Sequence, residues 1–144
     1  MNKNTKKKTN LVSKTITFND NSTLQLMCGE HYKFLKLIEK NVSVNIIIRG
    51  NFLKITGDKD NVRMAVNLLD HLYDNAKKTC SLDEGEVLGM INLHIDSGNI
   101  PYDESKNINS LSFTAGRKLI KPRSKRQVDY FNLVKKKDLV FCVG

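Results

Sequence analysis

Cys28 and His31 are separated by two residues, a spacing that lets two side chains share one metal ion. A structural zinc site needs four ligands. The other histidines and cysteines, which are His71, His94, Cys80 and Cys142, show no second paired spacing. We therefore expect no metal site, and we interpret His71 and His94 as ordinary residues on the flanks of helices.

The carboxylates do not form an obvious catalytic pair either. Asp83, Glu84 and Glu86 cluster at the predicted start of a helix, where the helix dipole favours negative charge. The sequence has no Gly-x-Ser-x-Gly elbow, no His-Glu-x-x-His, no Cys-x-x-Cys and no EF-hand loop. The enzyme and metal-binding classes that depend on these motifs have no support, and we expect no catalytic residues.

The charge distribution is the clearest chemical signal. Lys and Arg number 24 against 15 Asp and Glu, which gives a net charge of +9. Residues 1–14 carry five lysines and no acid, and residues 117–144 carry nine bases and two acids, whereas residues 15–75 are balanced. Basic ends attract polyanions, nucleic acid first. The alternative is a solvated tail and a solvated helix face.

Length and composition predict one small domain, or one domain with an appendage. With 144 residues, 40% of them hydrophobic, the chain can build a core. It has no run of about eighteen apolar residues, and its basic start is not followed by the apolar core of a secretory signal. Three well-separated cysteines fit reduced thiols. We expect a cytoplasmic protein with no membrane partner.

Hydrophobic periodicity predicts the element order β-α-α-β-β-α in the first half of the chain. The Gly50-Asn51 pair predicts the turn of a hairpin, and Asp58 or Asp60 is expected to cap a long helix. A three-stranded sheet covered by helices closes this order, so the fold class is α+β. The predicted elements begin at Thr15 (strand), Thr23 (helix), Tyr32 (helix), Val44 (strand) and Leu53 (strand), and the long helix follows its cap at Asp58 or Asp60.

The second half is predicted to be less regular. A capping box at Ser81 to Glu84 opens a connecting helix over 81–96, which Gly85 and Gly89 weaken. Residues 97–116 are expected to be a linker, and Ser124 to cap a helix that ends near 136. The apolar run Leu139–Val143 predicts a strand buried on both faces, as at the centre of a parallel sheet.

Two runs of the sequence resemble PhoH-like proteins, which are P-loop ATPases. They are TFNDNSTLQLMCGEHYKFLKLIEKNVSVNIIIRGNFLKITGDKDNV and AGRKLIKPRSKRQVDYFNLVKKKDLVFCVG. The resemblance implies ATP and Mg²⁺ in the family, with the phosphate loop directly after a strand such as Leu139–Val143. Gly144 would then be the first glycine of that loop. We expect a chain truncated at this point, which lacks the phosphate-loop lysine and the Mg²⁺ ligands and is not itself an enzyme.

The same resemblance implies a nucleotide contact. Gln127, which follows Lys121-Pro122-Arg123, occupies the place of a glutamine that reads the adenine edge in helicase-like ATPases, since an amide both donates and accepts hydrogen bonds. The candidate nucleotide-binding residues are therefore Gln127, Arg123 and Gly144. The alternative for Gln127 is an exposed residue early in a helix.

The β-α-α-β-β-α order also resembles a KH domain, which holds single-stranded nucleic acid at a Gly-x-x-Gly loop between its two helices. Here that loop is Gly29-Glu30-His31-Tyr32, with an acid inside it and Tyr in place of the second glycine. The candidate nucleic-acid-binding residues are Gly29, His31, Tyr32, Lys33, Lys36 and Arg49. Alternatively, they form the polar side of a helix and a hairpin tip.

These observations give a preferred domain organisation: a disordered basic arm over 1–14, a KH-like α+β domain over 15–77, the connecting helix over 81–96, the linker over 97–116 and the start of an incomplete P-loop core over 117–144. The preferred function is a truncated PhoH-like protein that keeps at most an RNA-binding module. One alternative is a remnant that binds the missing ATPase core or itself through Leu139–Val143. Another is ATP binding with a phosphate loop from a second chain.

Overall fold

The computed structural model describes residues 11–96, 111–116 and 118–143. The strands are β1 (Leu11–Thr17), β2 (Val44–Arg49), β3 (Phe52–Asp58), β4 (Phe113–Ala115) and β5 (Lys118–Ile120). The helices are α1 (Asn21–Cys28), α2 (Lys33–Val42), α3 (Lys59–Thr79), α4 (Glu84–Asp96) and α5 (Lys125–Lys136), and Glu30–Tyr32 forms one 3₁₀ turn between α1 and α2. The α+β class and the predicted β-α-α-β-β-α order are confirmed.

The main sheet has three antiparallel strands in the order β1-β3-β2, with β3 in the centre. Leu53 and Ile55 of β3 are fully buried, and Leu53 pairs with Ile16 on one side and Ile48 on the other. Side chains alternate between the two faces of a strand, so one face of the sheet carries the core and the other stays open. The predicted hairpin around Gly50-Asn51 is confirmed.

The helices cover the inner face of this sheet. α3 buries an apolar stripe, and Asp58, one of the two predicted caps, accepts a hydrogen bond from the Lys59 N–H at 2.8 Å. α1 and α2 contribute Met27 and Ile38, both with no exposed surface. These residues and the sheet form one continuous hydrophobic cluster.

The first strand starts earlier than predicted. Residues 11–14 were expected to belong to the disordered arm, but β1 runs from Leu11, which is opposite Asp58, to Thr17, which is opposite Phe52. The backbone ladder with β3 extends the strand through Leu11-Val12-Ser13-Lys14, where apolar and polar residues do not alternate. The rest of the arm, residues 1–10, lies outside the described residues.

The helix predicted as a connector is part of the core. α4 packs against α2 and α3, and its Val87 and Ile91 are fully buried in the same cluster as the sheet. Its N-cap is Asp83 rather than Ser81, because the Glu86 N–H donates to Asp83 Oδ1 at 2.8 Å and Glu86 reaches back to the Asp83 N–H. The boundary expected at residue 77 therefore does not separate two folded units.

The two glycines of α4 face the C-terminal segment. A β-carbon built on Gly85 would lie 2.9 Å from Arg123 Nη1, and one built on Gly89 would lie 3.0 Å from Arg123 Cγ. Lys121 Nζ also donates to Asn75 Oδ1 of α3 at 3.4 Å. The glycines that weaken α4 as a helix thus allow residues 121–123 to approach it closely.

The predicted linker over 97–116 is wrong at its end, where Phe113–Ala115 forms β4 and pairs with β5. The ring of Phe113 lies 4.8 Å from that of Phe131, so packing against α5 accompanies the hairpin. Residues 97–110 lie outside the described residues. The helix predicted after Ser124 is confirmed as α5, and its Phe131 is buried.

The predicted buried strand at Leu139–Val143 is wrong. These residues have no regular secondary structure, and Phe141 and Val143 are 84% and 97% exposed. A strand of this kind needs a hydrogen-bonding neighbour, and none of the described strands pairs with it, whatever its β-propensity. Among the helices that the structure describes, none combines the length and the apolar character needed to cross a bilayer.

Candidate nucleic-acid interface

A groove lies where the end of α1, the loop after it and the β2–β3 turn come together. Its volume is about 610 Å³. Leu24 and Ile48 give it an apolar floor, while the loop residues His31 and Tyr32 stand at its edge and are exposed. The groove is lined by Asn21, Leu24, Gln25, Cys28, Gly29, His31, Tyr32, Ile48 and Gly50.

The start of α1 is fixed by a polar cap. Asp20 accepts hydrogen bonds from the Ser22 N–H at 3.0 Å and from the Thr23 hydroxyl. The Thr23 hydroxyl, followed by the Ser22 N–H, holds the pKa of Asp20 below its ordinary value. The Asp20 N–H donates to the Tyr73 hydroxyl at 3.1 Å, which ties this cap to α3 and so fixes one wall of the groove.

Gly29 ends α1 and is required at that position for two reasons. Its φ of +70° lies in the region that favours glycine, and its N–H donates to the carbonyl oxygens of Gln25 and Leu26. In addition, a β-carbon there would lie 2.6 Å from Cδ2 of the buried Phe34. The loop backbone therefore passes directly over the Phe34 ring.

His31 and Tyr32 continue the loop in the left-handed region, with φ values of +52° and +59°. Two consecutive non-glycine residues rarely take this conformation, and such strain is concentrated at functional sites. Tyr32 thus adopts a backbone conformation that a glycine would take easily, and its side chain is 52% exposed. The missing second glycine does not change the left-handed course of the loop.

A lysine stripe runs along α2 from this loop. Lys33, Lys36 and Lys40 are exposed and lie on one side of the helix by their spacing. Lys33 Nζ sits 5.0 Å from the centre of the Phe34 ring, which is a cation–π contact. Lys33 also lines an adjoining groove of about 680 Å³, together with Glu30, the acid of the loop. Positive charge therefore borders the groove on the α2 side.

Arg49 does not join the other candidates. Its neighbours Ile46 and Ile48 pack towards the core, so alternation along β2 directs Arg49 to the open face of the sheet, where it lines a depression with Phe52 and Lys54. Gly29, His31 and Tyr32 meet at one groove, and Lys33 and Lys36 follow on α2. Arg49 lies across the sheet from all of them.

Cys28 contributes a neutral thiol to the groove. It is buried, and burial raises the pKa of Cys28 to about 11. At neutral pH it therefore acts as a small apolar side chain beside Leu24. Among the described residues, no group of three or more His, Cys, Asp or Glu side chains is placed to hold a metal ion.

Gln127 has a structural partner. Its Oε1 accepts a hydrogen bond from the Arg123 N–H at 2.6 Å, and its own N–H donates to Ser124 Oγ at 3.3 Å. The sequence Ser-x-x-Gln is a capping-box signature that the sequence interpretation missed. Arg123 lies along α4, and Gly144 lies outside the described residues.

His71 and His94 are not flank residues, because both are buried and their rings meet between α3 and α4. The helical spacing of the sequence predicts that both histidines are buried. His71 follows the fully buried Leu68 by three residues, and His94 follows the fully buried Ile91 by three. A polar side chain in register with an apolar stripe indicates a buried polar contact.

Comparison with known proteins finds relatives of this chain, among them a PhoH-like protein. Over 116 residues the chain is 31% identical to a PhoH-like protein of Bacillus subtilis (strain 168), a match that includes 81% of the chain. The chain spans about a third of that protein's length, 36%. No protein-family profile matches the sequence. No solved structure matches the chain.

Proposed function

Because the chain belongs to the family of PhoH-like proteins, we propose that its α+β core is a KH-like module that binds single-stranded RNA in the groove beside Gly29–Tyr32. The proposed role is binding without catalysis. In a whole PhoH-like protein, the proposed module would present RNA to an ATP-hydrolysing core elsewhere in the chain. The β-α-α-β-β-α order and the three-stranded antiparallel sheet support this proposal.

The observation that carries the proposal is the left-handed backbone of His31 and Tyr32 at the edge of the groove. A KH loop holds the nucleic-acid backbone by close approach, and this loop keeps an exposed, left-handed course between two helices. The strain is maintained because Gly29 packs directly on Phe34. The loop is therefore preformed before any ligand binds.

The chemistry around the loop suits a single strand rather than a duplex. The exposed Tyr32 ring offers a base a stacking surface, and Leu24 with the neutral Cys28 provides an apolar floor. Lys33 and Lys36 offer charge to phosphates along α2. Glu30 opposes them, so we expect modest affinity that depends on salt.

Fluorescence anisotropy with a labelled ten-nucleotide single-stranded RNA tests the proposal. We expect binding at micromolar protein that weakens as salt rises, with a slope of log affinity against log salt of about −1 to −2 for two lysines. Lys33→Gln with Lys36→Gln should reduce that slope, whereas the matched pair Lys135→Gln with Lys136→Gln on α5 should leave it unchanged. An absence of salt-dependent binding up to tens of micromolar protein would overturn the proposal.

A second candidate function is protein association through residues 139–143. The observation that favours it is the exposure of Leu139, Phe141 and Val143 in one short segment. Gel filtration over a tenfold range of concentration tests it, because association should disappear when residues 138–144 are deleted. Identical elution of the full and shortened chains as monomers would reject self-association.

A further inference from the structure

The outer face of the main sheet is open to solvent. Alternation along the strands separates the outward side chains from those in the core, and Ser13 Oγ lies 3.5 Å from Thr56 Oγ1 across β1 and β3 on this outer side. The outward residues include Ile47, Arg49, Phe52 and Lys54, with Leu11 and Asp58 at the far end of the same face.

An exposed aromatic ring on this face is surrounded by cations. Phe52 is 50% exposed and lies directly opposite Arg49 in the register of β2 and β3. Lys54 follows two residues along β3 on the same face and lies opposite Ile47, which is 45% exposed. Neighbours at these positions are about 5 to 8 Å apart. The aromatic ring, the aliphatic side chain of Ile47 and two positive charges therefore lie within one small area of the sheet.

These side chains line a shallow depression of about 290 Å³, formed by Thr15, Ile47, Arg49, Phe52 and Lys54. Its charged side chains are both positive. The acid of the outward set, Asp58, lies six residues from Phe52 along β3, roughly 20 Å away, and its carboxylate caps α3. The depression is complementary to a negatively charged ligand that also offers flat apolar surface.

We propose that this depression is a second contact surface for single-stranded nucleic acid, with a base stacked on Phe52 and the flanking phosphates held by Arg49 and Lys54. Every base has a π-face, so such a platform accepts a strand without reading its sequence. An acidic protein segment would match the charge alone. The half-exposed aromatic ring between two cations favours nucleic acid as the occupant.

The surface is independent of the groove beside Gly29–Tyr32, although both take the same class of ligand. Ile48 and Gly50 line that groove, and Arg49 and Phe52 line the depression, so the two sites occupy opposite sides of one hairpin. A strand that passes over the Gly50-Asn51 turn would contact both. The second surface accordingly goes beyond the proposed function and can fail without it.

The test uses tryptophan as a local reporter, because the chain contains none. Phe52→Trp places the indole in the depression, and Tyr32→Trp places it at the groove. Each full-length variant is titrated with ten-nucleotide oligouridylate, since a stacked base quenches indole fluorescence. In the otherwise unchanged chain, Phe52→Leu is expected to weaken binding by roughly tenfold. Leu11→Ala, which removes an exposed apolar side chain at the far end of the same face, should leave binding unchanged.

The outcomes separate the two sites. Quenching of the Trp at position 52, with weaker binding by Phe52→Leu and a smaller salt slope for Lys54→Gln, supports the second surface. Quenching at position 32 alone overturns the second surface and leaves the groove proposal standing. Quenching at position 52 alone supports the second surface and overturns the groove proposal. If neither reporter responds, both proposals are overturned. Circular dichroism of each variant confirms that the fold is retained.

Discussion

The Nδ1 atom of His71 lies 2.8 Å from the Nε2 atom of His94 in the buried contact between α3 and α4. His94 Nδ1 lies 2.8 Å from the carbonyl oxygen of Met90, which can only accept a hydrogen bond. His94 therefore carries its proton on Nδ1, and its Nε2 accepts from the His71 Nδ1–H. His71 Nδ1 and His94 Nε2 are therefore both hydrogen-bonded when the two rings are neutral.

This pair predicts that stability decreases in mild acid. Burial lowers the pKa of His94 below its ordinary value of 6.5, despite the hydrogen bond to Met90. The unfolded chain therefore binds a proton at a higher pH than the folded chain does. The stability that the neutral His94 contributes is complete above pH 6.5 and is lost as pH falls towards the lowered folded-state pKa. Urea unfolding should show a free energy of unfolding lower by about 1 kcal/mol at pH 5.5 than at pH 7.5.

A variant that lacks the buried imidazole of His94 provides the control for this measurement. His94→Gln should flatten the dependence of the unfolding free energy on pH, since glutamine does not titrate. A parent chain whose unfolding free energy is the same at both pH values would contradict the assignment of a neutral, buried pair.

Substitution of the two loop glycines should have unequal costs. Gly29→Ala must overcome both a left-handed backbone and a β-carbon 2.6 Å from Phe34, so we expect a loss of about 2 to 4 kcal/mol. Gly50 has φ +58° with nothing within 4 Å of a built β-carbon, so Gly50→Ala should cost about 1 kcal/mol. Chemical denaturation measures both, and equal losses would show that Phe34 yields without cost.

The local sequence pattern was sufficient to predict the elements whose own residues show a clear alternation or turn. Val44, Ile46 and Ile48 alternate, a Gly-Asn turn follows, and Leu53 and Ile55 alternate again, so the hairpin could be read from the sequence. The start of β1 could not, because its ladder with β3 depends on backbone pairing over a long sequence separation. The strand predicted at Leu139–Val143 is wrong because strand propensity alone does not provide a neighbouring strand to pair with.

The three cysteines should differ in their reaction with thiol reagents. Cys28 is buried with its pKa raised to about 11, whereas Cys80 and Cys142 are exposed. Because the thiolate is the reactive species, we expect two fast equivalents and one slow equivalent with Ellman's reagent at pH 8. Urea should make the third equivalent fast. Rapid reaction of all three in the folded chain would place Cys28 at the surface.

Gln127→Glu distinguishes a capping role from a nucleotide-reading role. Glutamate keeps the oxygen that accepts from the Arg123 N–H and adds negative charge at the start of α5, so thermal stability should be unchanged or slightly higher. Gln127→Ala removes the acceptor and should cost about 0.5 to 1 kcal/mol. Calorimetric titration with ATP gives the second measurement. If the parent chain binds ATP and Gln127→Glu abolishes this, the adenine assignment is supported over the cap.

The candidate site was only partly accessible to sequence reasoning. The loop Gly29–Tyr32 could be located from its place between two helices, but the left-handed course of Tyr32 depends on the packing of Gly29 against Phe34. Alternation along β2 predicts that Arg49 and Ile48 lie on opposite faces, but only the structure shows that Ile48, and not Arg49, lines the groove. The spacing Ser-x-x-Gln is sufficient to predict the capping role of Gln127, whereas the resemblance to ATPases implies an adenine contact for the same amide.

The contact of Arg123 with Gly85 and Gly89 makes the spacing between α4 and the C-terminal segment a function of side-chain size. At Gly89 a side chain would meet Arg123 Cγ and Cβ at 3.0 and 3.1 Å, so Arg123 would have to shift by a few tenths of an ångström, whereas at Gly85 the flexible end of the Arg123 side chain can move aside. The two glycines thus determine how closely the segment that leads into α5 approaches α4.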